Sequence, residues 1–144
     1  MHRLFVSIVS LVVVLLTAAC AAPADLDLAL THATLEKKFV VTLQPPATPA
    51  AINQIHSWRI QVASPTGVPV THARIAVDGG MPQHGHGLPT RPQATQELFD
   101  GTYLLEGMKF SMKGWWEIKL AIKSAEGSDT VTFNTVVAAP VVAR

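Results

Sequence analysis

Residues 79–89 (Gly-Gly-Met-Pro-Gln-His-Gly-His-Gly-Leu-Pro) bring two imidazoles and a thioether together in a segment rich in glycine and proline. His84 and His86 lie two positions apart, so an extended backbone directs both side chains to the same side, with roughly 6–7 Å between the bases of the two rings. Rotation of the rings could then bring one nitrogen of each onto a single metal ion. Imidazole with thioether suits copper, and Cu(I) in particular. We therefore expect a copper site that contains Met81, His84 and His86.

The surroundings of the histidines favour a shaped loop. Proline stiffens the backbone and glycine removes side-chain bulk, so Pro82, Gly85 and Gly87 are expected to shape the loop that holds the two rings. A further sulfur is available in the run Met-Lys-Phe-Ser-Met, which ends at Met112. We expect Met112 to be a fourth ligand, while a methionine at this spacing is also common core filler. The competing interpretation of the loop is a glycine-rich turn whose histidines face water.

The N-terminus predicts export and a lipid anchor. A short basic start precedes an apolar run from Leu4 to Leu16, which has the length of the apolar region of a signal peptide and is too short to span a bilayer. The single cysteine, Cys20, follows Leu-Thr-Ala-Ala in a motif that resembles a bacterial lipobox. We expect residues 1–19 to be a lipoprotein signal peptide and Cys20 to carry lipid, at the periplasmic face of the outer membrane if the host is a diderm. Ordinary cleavage near Ala21, which leaves a secreted soluble periplasmic protein, is the alternative.

Charge and motif content exclude several classes of function. The 144-residue chain has 11 basic and 10 acidic residues, so it lacks the basic excess that attracts nucleic acid. One cysteine cannot form a disulfide framework, and stability must come from packing. The sequence contains no Gly-x-Ser-x-Gly motif, no phosphate-binding loop and no paired carboxylates. We expect a protein that is not an enzyme and binds no nucleic acid.

Alternation of polar and apolar residues predicts an all-β fold. Short runs with a period of two, such as Phe39, Val41 and Leu43, are separated by turn residues, and no run of the mature chain has a convincing helical period. About seven such strands favour an immunoglobulin-like antiparallel β-sandwich. We assign residues 20–35, which are rich in alanine, to a tether, and residues 36–144 to the sandwich domain.

Several short motifs resemble a known family. They are Met-Pro-x-His-x-His at 81–86, Gly-x-Tyr at 101–103 and Gly-Met-x-Phe-x-Met-x-Gly-x-Trp at 107–116. Together they are similar to the YtkA-like domain, which is related to the FixH-like proteins, over about residues 55–137. The resemblance implies an exported or membrane-tethered immunoglobulin-like β-sandwich, and it links relatives to copper handling and oxidase maturation. It implies no catalytic residues.

These observations favour a lipid-anchored envelope domain that binds copper transiently and buffers it or hands it to an acceptor. The second hypothesis is an interaction or assembly module without metal, in which the same loop and an exposed Trp115 dock an envelope protein. A binder of a small ligand between the two sheets is a third and weaker hypothesis.

Overall fold

The computed structural model describes residues 22–49 and 51–139, which form nine β-strands in two antiparallel sheets. In chain order the strands are β1 (Thr31–Ala33), β2 (Val40–Gln44), β3 (His56–Ala63), β4 (Arg74–Met81), β5 (His86–Gly87), β6 (Gln93–Phe99), β7 (Thr102–Met108), β8 (Gly114–Ser124) and β9 (Gly127–Val137). The first sheet has the order β1-β2-β3-β7-β6 and the second the order β5-β4-β8-β9. The predicted leader and the predicted lipid site at Cys20 lie outside the described residues.

The strand order confirms the predicted sandwich. Without β1 and β5, the two sheets read β2-β3-β7-β6 and β4-β8-β9, which corresponds to the A-B-E-D and C-F-G sheets of a constant-type immunoglobulin domain. The sequence predicts about seven strands, and the two additional strands, β1 and β5, are three and two residues long. Strands of that length are too short for a period of two to be visible.

The core lies between the sheets and consists of the inward residues of each strand. It is largest along β8, whose alternate residues are buried, and it continues onto β3, β7 and β9. The buried apolar side chains on β8 and β9 are Trp116, Ile118, Leu120, Ile122, Val131 and Phe133. The alternation that predicted the fold is therefore the alternation of core and solvent.

Two polar contacts fix connections between strands. The buried hydroxyl of Tyr103 donates to the carbonyl of Val70 at 2.7 Å and accepts from the amide of Ala73 at 2.9 Å, so it ties β7 to the segment that leads into β4. The carboxylate of Asp129 on β9 accepts from the amides of Glu36 and Lys38, which closes the connection between β1 and β2.

The predicted tether is too long by several residues. Strand β1, at Thr31–Ala33, lies inside the segment 20–35, and it pairs with β2 from Thr31 opposite Thr42 to Ala33 opposite Val40. Thr34, which follows it, is buried. The alanine-rich composition concealed this short strand, because alanine carries little of the apolar contrast on which a period of two depends.

The segments that contain the candidate metal ligands lie at one end of the sandwich. We call it the histidine end, and define it by the connections 45–49 and 51–55 (between β2 and β3), 82–85, 88–92 and 109–113. The antiparallel pairing requires these connections to share one end, since each joins strands that finish or start there. The connections 64–73, 100–101 and 125–126 lie at the opposite end.

Candidate metal-binding site

The two histidines stand on a hairpin whose turn follows from its sequence. Met81, the last residue of β4, pairs with His86, the first residue of β5, and residues 82–85 connect them. The amide of His84 donates to the carbonyl of Met81 at 3.1 Å, and Pro82 occupies the second position of this turn, where its fixed φ is favourable. Gly85 has a φ of 64°, a conformation that costs glycine little. Pro82 and Gly85 therefore occupy turn positions that suit their residue types.

Close backbone contact explains the other glycines of the motif. A Cβ atom on Gly79 would lie 2.2 Å from the carbonyl oxygen of Glu117, and one on Gly80 would lie 2.0 Å from that of His86. Gly87 pairs with Gly80 across the hairpin. Glycine at position 80 thus lets β5 lie against β4 at the sheet edge, and glycine at position 79 lets β4 lie against β8. Gly87 belongs to β5 and not to the loop itself.

His84 and His86 are adjacent and exposed to solvent. Their ring centroids are 6.0 Å apart and the ring planes differ by 12°. A metal ion holds an imidazole nitrogen at about 2.0–2.1 Å, with the metal close to the plane of the ring. Two rings bound to one ion therefore have nitrogens within about 4 Å of each other. A centroid separation of 6.0 Å meets this condition when one nitrogen of each ring faces the other ring, and their exposure lets both side chains rotate into that orientation.

Met81 pairs with His86 across the hairpin, but its side chain is turned into the core, and the expectation that it is a copper ligand needs correction. Its side chain is 1% exposed and belongs to the core. Its methyl carbon is 3.0 Å from the position that a Cβ atom on Gly114 would take, so it packs against the start of β8. The physical reason is parity: Met81 continues the inward series of Ile75 and Val77 on β4.

Met112 is the exposed thioether of the histidine end. Its side chain is 38% exposed, whereas Met108 is fully buried. The carbonyl of Met112 accepts from the indole nitrogen of Trp116 at 3.1 Å, which fixes the backbone of this connection. Of the two sulfur ligands expected from the sequence, only Met112 is presented to solvent, at the same end of the sandwich as the hairpin.

Trp115 lies on the outer face of the second sheet and is half-buried. Its indole nitrogen donates to Oδ1 of Asn134 at 2.9 Å, and Nδ2 of Asn134 donates to the carbonyl of Asp27 at 3.0 Å. The side chain expected to contact a partner is therefore part of a fixed contact that also holds the N-terminal segment.

His56 lies at the histidine end among aromatic rings, and the sequence alone did not assign it to the site. Its Nδ1 accepts from the indole nitrogen of Trp58 at 2.8 Å, and its ring lies 5.3 Å from that of Phe110. Burial lowers the pKa of this imidazole, which favours its neutral form. A neutral ring that accepts at Nδ1 carries its proton on Nε2, so this ring has no free lone pair for a metal. The His-x-Trp spacing on a strand was the available signal.

Within residues 22–49 and 51–139, no group of three or more histidine, cysteine, aspartate or glutamate side chains is arranged to hold a metal ion. The same residues contain no helix long and apolar enough to cross a membrane. The hairpin itself offers two imidazoles.

Comparison with known proteins gives one match. Residues 34–121, more than half of the chain, match the family described as YtkA-like. The match begins earlier and ends earlier than the likeness seen in the motifs, and it includes the hairpin, Met112 and Trp115. No curated protein and no solved structure matches the chain.

Proposed function

The chain belongs to the YtkA-like family, and we propose that it is a lipid-anchored extracytoplasmic domain that binds copper transiently through His84 and His86. In this proposal Cys20 carries the lipid, and the domain buffers copper or delivers it to an acceptor in the cell envelope. No step requires the protein to act as an enzyme.

The observation that carries the proposal is the pair of adjacent, exposed imidazoles on a short, stiff turn. Copper binds imidazole more tightly than the other divalent metals of the first row, following the Irving–Williams order. Two protein ligands leave other coordination positions open, so an acceptor can approach the ion before the histidines release it.

Met112 is the thioether that this proposal assigns to Cu(I). It lies at the same end as the hairpin and is accessible, whereas Met81 serves the core. Thioether sulfur favours Cu(I) over Zn(II). The domain would thus hold Cu(I) with two imidazoles and one sulfur, and Cu(II) with the imidazoles and water.

Titration of the mature protein with Cu(I) and with Cu(II) tests the proposal. The test variant is His84→Ala with His86→Ala, and the matched control is His72→Asn at the opposite end. Asparagine suits the control because His72 has a φ of 56°, which asparagine tolerates better than most residues. We expect copper affinity to fall in the double variant and to stay at the wild-type value in the control. Equal affinity in all three proteins would exclude the hairpin as the site.

A module that docks an envelope protein without metal is the second candidate. The fixed, half-buried Trp115 on the outer face of the second sheet favours it. Under this hypothesis Trp115→Ala abolishes copurification of the partner, whereas chelator has no effect. Under the copper proposal the Trp115 variant retains the wild-type affinity for copper.

A further inference from the structure

The connections of the histidine end carry positive charge only. Arg91, Lys109 and Lys113 lie in them, and none of these connections contains an aspartate or glutamate. Two carboxylates on strands that reach this end are already engaged: Glu117 is paired with Lys119 at 2.9 Å, and Glu106 accepts from the hydroxyl of Thr95. Asp25 and Asp27 are exposed in the N-terminal segment that leads to this end, and they offset part of this charge. The connections themselves still present a basic surface, which attracts anions.

Apolar side chains are exposed at the same end. Ile55 is 70% exposed and Met112 is 38% exposed, and they occupy the connections 51–55 and 109–113. The amide of Asn53 donates to the carbonyl of Phe110 at 2.8 Å, which joins these two connections. Exposed apolar residues on the same surface as basic ones are typical of a surface that contacts the headgroups of anionic lipids.

The chain enters the sandwich at this end. Strand β1 begins opposite Thr42, near the end of β2, and the carbonyl of Leu30 just before it accepts from the amide of Leu43 at 2.8 Å. Asp27 is held by Asn134, and it lies seven positions after Cys20. Seven residues span at most about 25 Å even when fully extended. A lipid on Cys20 would therefore keep the histidine end close to the bilayer.

We propose that the histidine end docks on the surface of a bilayer that contains anionic lipid. Lys109, Lys113 and Arg91 lie against the headgroups, and Ile55 and Met112 enter the interface. This inference rests on the anchoring at Cys20 in the proposed function, and it adds the orientation of the domain. The copper hairpin then faces the membrane, where it can exchange copper with a membrane-embedded acceptor.

Lysine footprinting of the anchored full-length protein tests the docking without copper. The lipidated protein is placed in nanodiscs of phosphatidylcholine, with or without 30% phosphatidylglycerol, in the presence of chelator. An amine-reactive acetylating reagent and mass spectrometry then report the reactivity of each lysine. Lys37 and Lys123, which lie near the opposite end, serve as internal controls. We expect anionic lipid to lower the reactivity of Lys109 and Lys113 several-fold, because each basic residue near such a surface strengthens binding by about fivefold.

Two further arms separate docking from crowding by the nanodisc. Salt at 0.5 M should restore the reactivity, since it screens the attraction to lipid. Ile55→Ser with Met112→Ser should weaken the protection of Lys109 and Lys113, whereas Val68→Ser at the opposite end should leave it unchanged. Protection of the lysines that is equal at both ends, or absent in anionic nanodiscs, would overturn the proposal. Absence of protection would also favour an acidic protein surface, in place of lipid, as the partner of the histidine end. Because copper is excluded, neither result depends on whether the hairpin binds metal.

Discussion

Gly80 lies so close to His86 that a Cβ atom on Gly80 would stand 2.0 Å from the carbonyl oxygen of His86. This contact sets the position of β5 on the edge of the second sheet, and with it the position of the His86 ring. The hairpin is therefore held by backbone contact, while the side chains of His84 and His86 are exposed to solvent.

Alanine substitutions at two glycines separate this contact from simple loop flexibility. Gly80→Ala forces a backbone atom to move, so we expect it to lower the free energy of unfolding by about 3 kcal/mol or more and to weaken copper binding. Gly85→Ala meets no atom within 4 Å, and only its φ of 64° is unfavourable, so we expect a loss of about 1–2 kcal/mol. Chemical denaturation measures both. Equal losses in the two variants would mean that the close approach does not hold the hairpin.

The two methionines are expected to respond in opposite ways. Met81→Leu changes the shape of a buried side chain, so it should cost less than about 1.5 kcal/mol of stability and leave copper affinity unchanged. Met112→Leu should leave stability unchanged and lower Cu(I) affinity by at least about tenfold, because even groups outside the ligand shell contribute 10–100-fold. Competition titration with a Cu(I) chelator gives the affinities. A loss of Cu(I) affinity in the Met81 variant alone would assign the sulfur ligand to the core methionine.

The pH dependence of stability should depend on Asp129. Burial opposes ionisation of this carboxyl, but hydrogen bonds from Thr34 and from the amides of Thr130, Glu36 and Lys38 outweigh it and lower its pKa from 3.8 to about 2. A carboxyl with a depressed pKa in the folded state stabilises the protein above its unfolded pKa, and this contribution is lost as the pH falls from about 4 to 2. The effect concerns acidic solutions and not the neutral range.

Thermal melts of wild type and Asp129→Asn between pH 2 and pH 7 measure this contribution. We expect the difference in Tm to be largest above about pH 5 and to close near pH 2. Asp25→Asn, at an exposed position in the N-terminal segment, is the control and should follow the wild type throughout. A difference between wild type and Asp129→Asn that stays constant with pH would show that the carboxylate charge does not matter.

The sandwich could be predicted because its long strands bury one face. On β8 and β9 the alternation of Ile118, Leu120, Val131 and Phe133 with polar residues is the same pattern that the structure buries. Strands β1 and β5 could not be predicted, since a strand of two or three residues owes its existence to the neighbour that it pairs with. Pairing register is a tertiary property that one sequence does not contain.

The candidate site was predictable only in part. The turn at Pro82 and Gly85 follows from local preferences, and the sequence was sufficient to place both histidines on it. The burial of Met81 was also available from the sequence, because the inward series of β4 continues through Val77 to that position. The glycine-rich segment from Gly79 onward predicts a loop, and a loop would end this series before Met81. The orientation of the two rings depends on side-chain torsions that spacing does not fix.

The most direct test of the copper proposal counts the imidazoles bound to copper. Pulsed EPR of the mature protein with one equivalent of Cu(II) detects the remote nitrogen of each coordinated ring. We predict two imidazoles in the wild type, one in His84→Ala or His86→Ala, and none in the double variant. An unchanged spectrum in the double variant, or a wild-type spectrum without coordinated imidazole, would contradict the proposal.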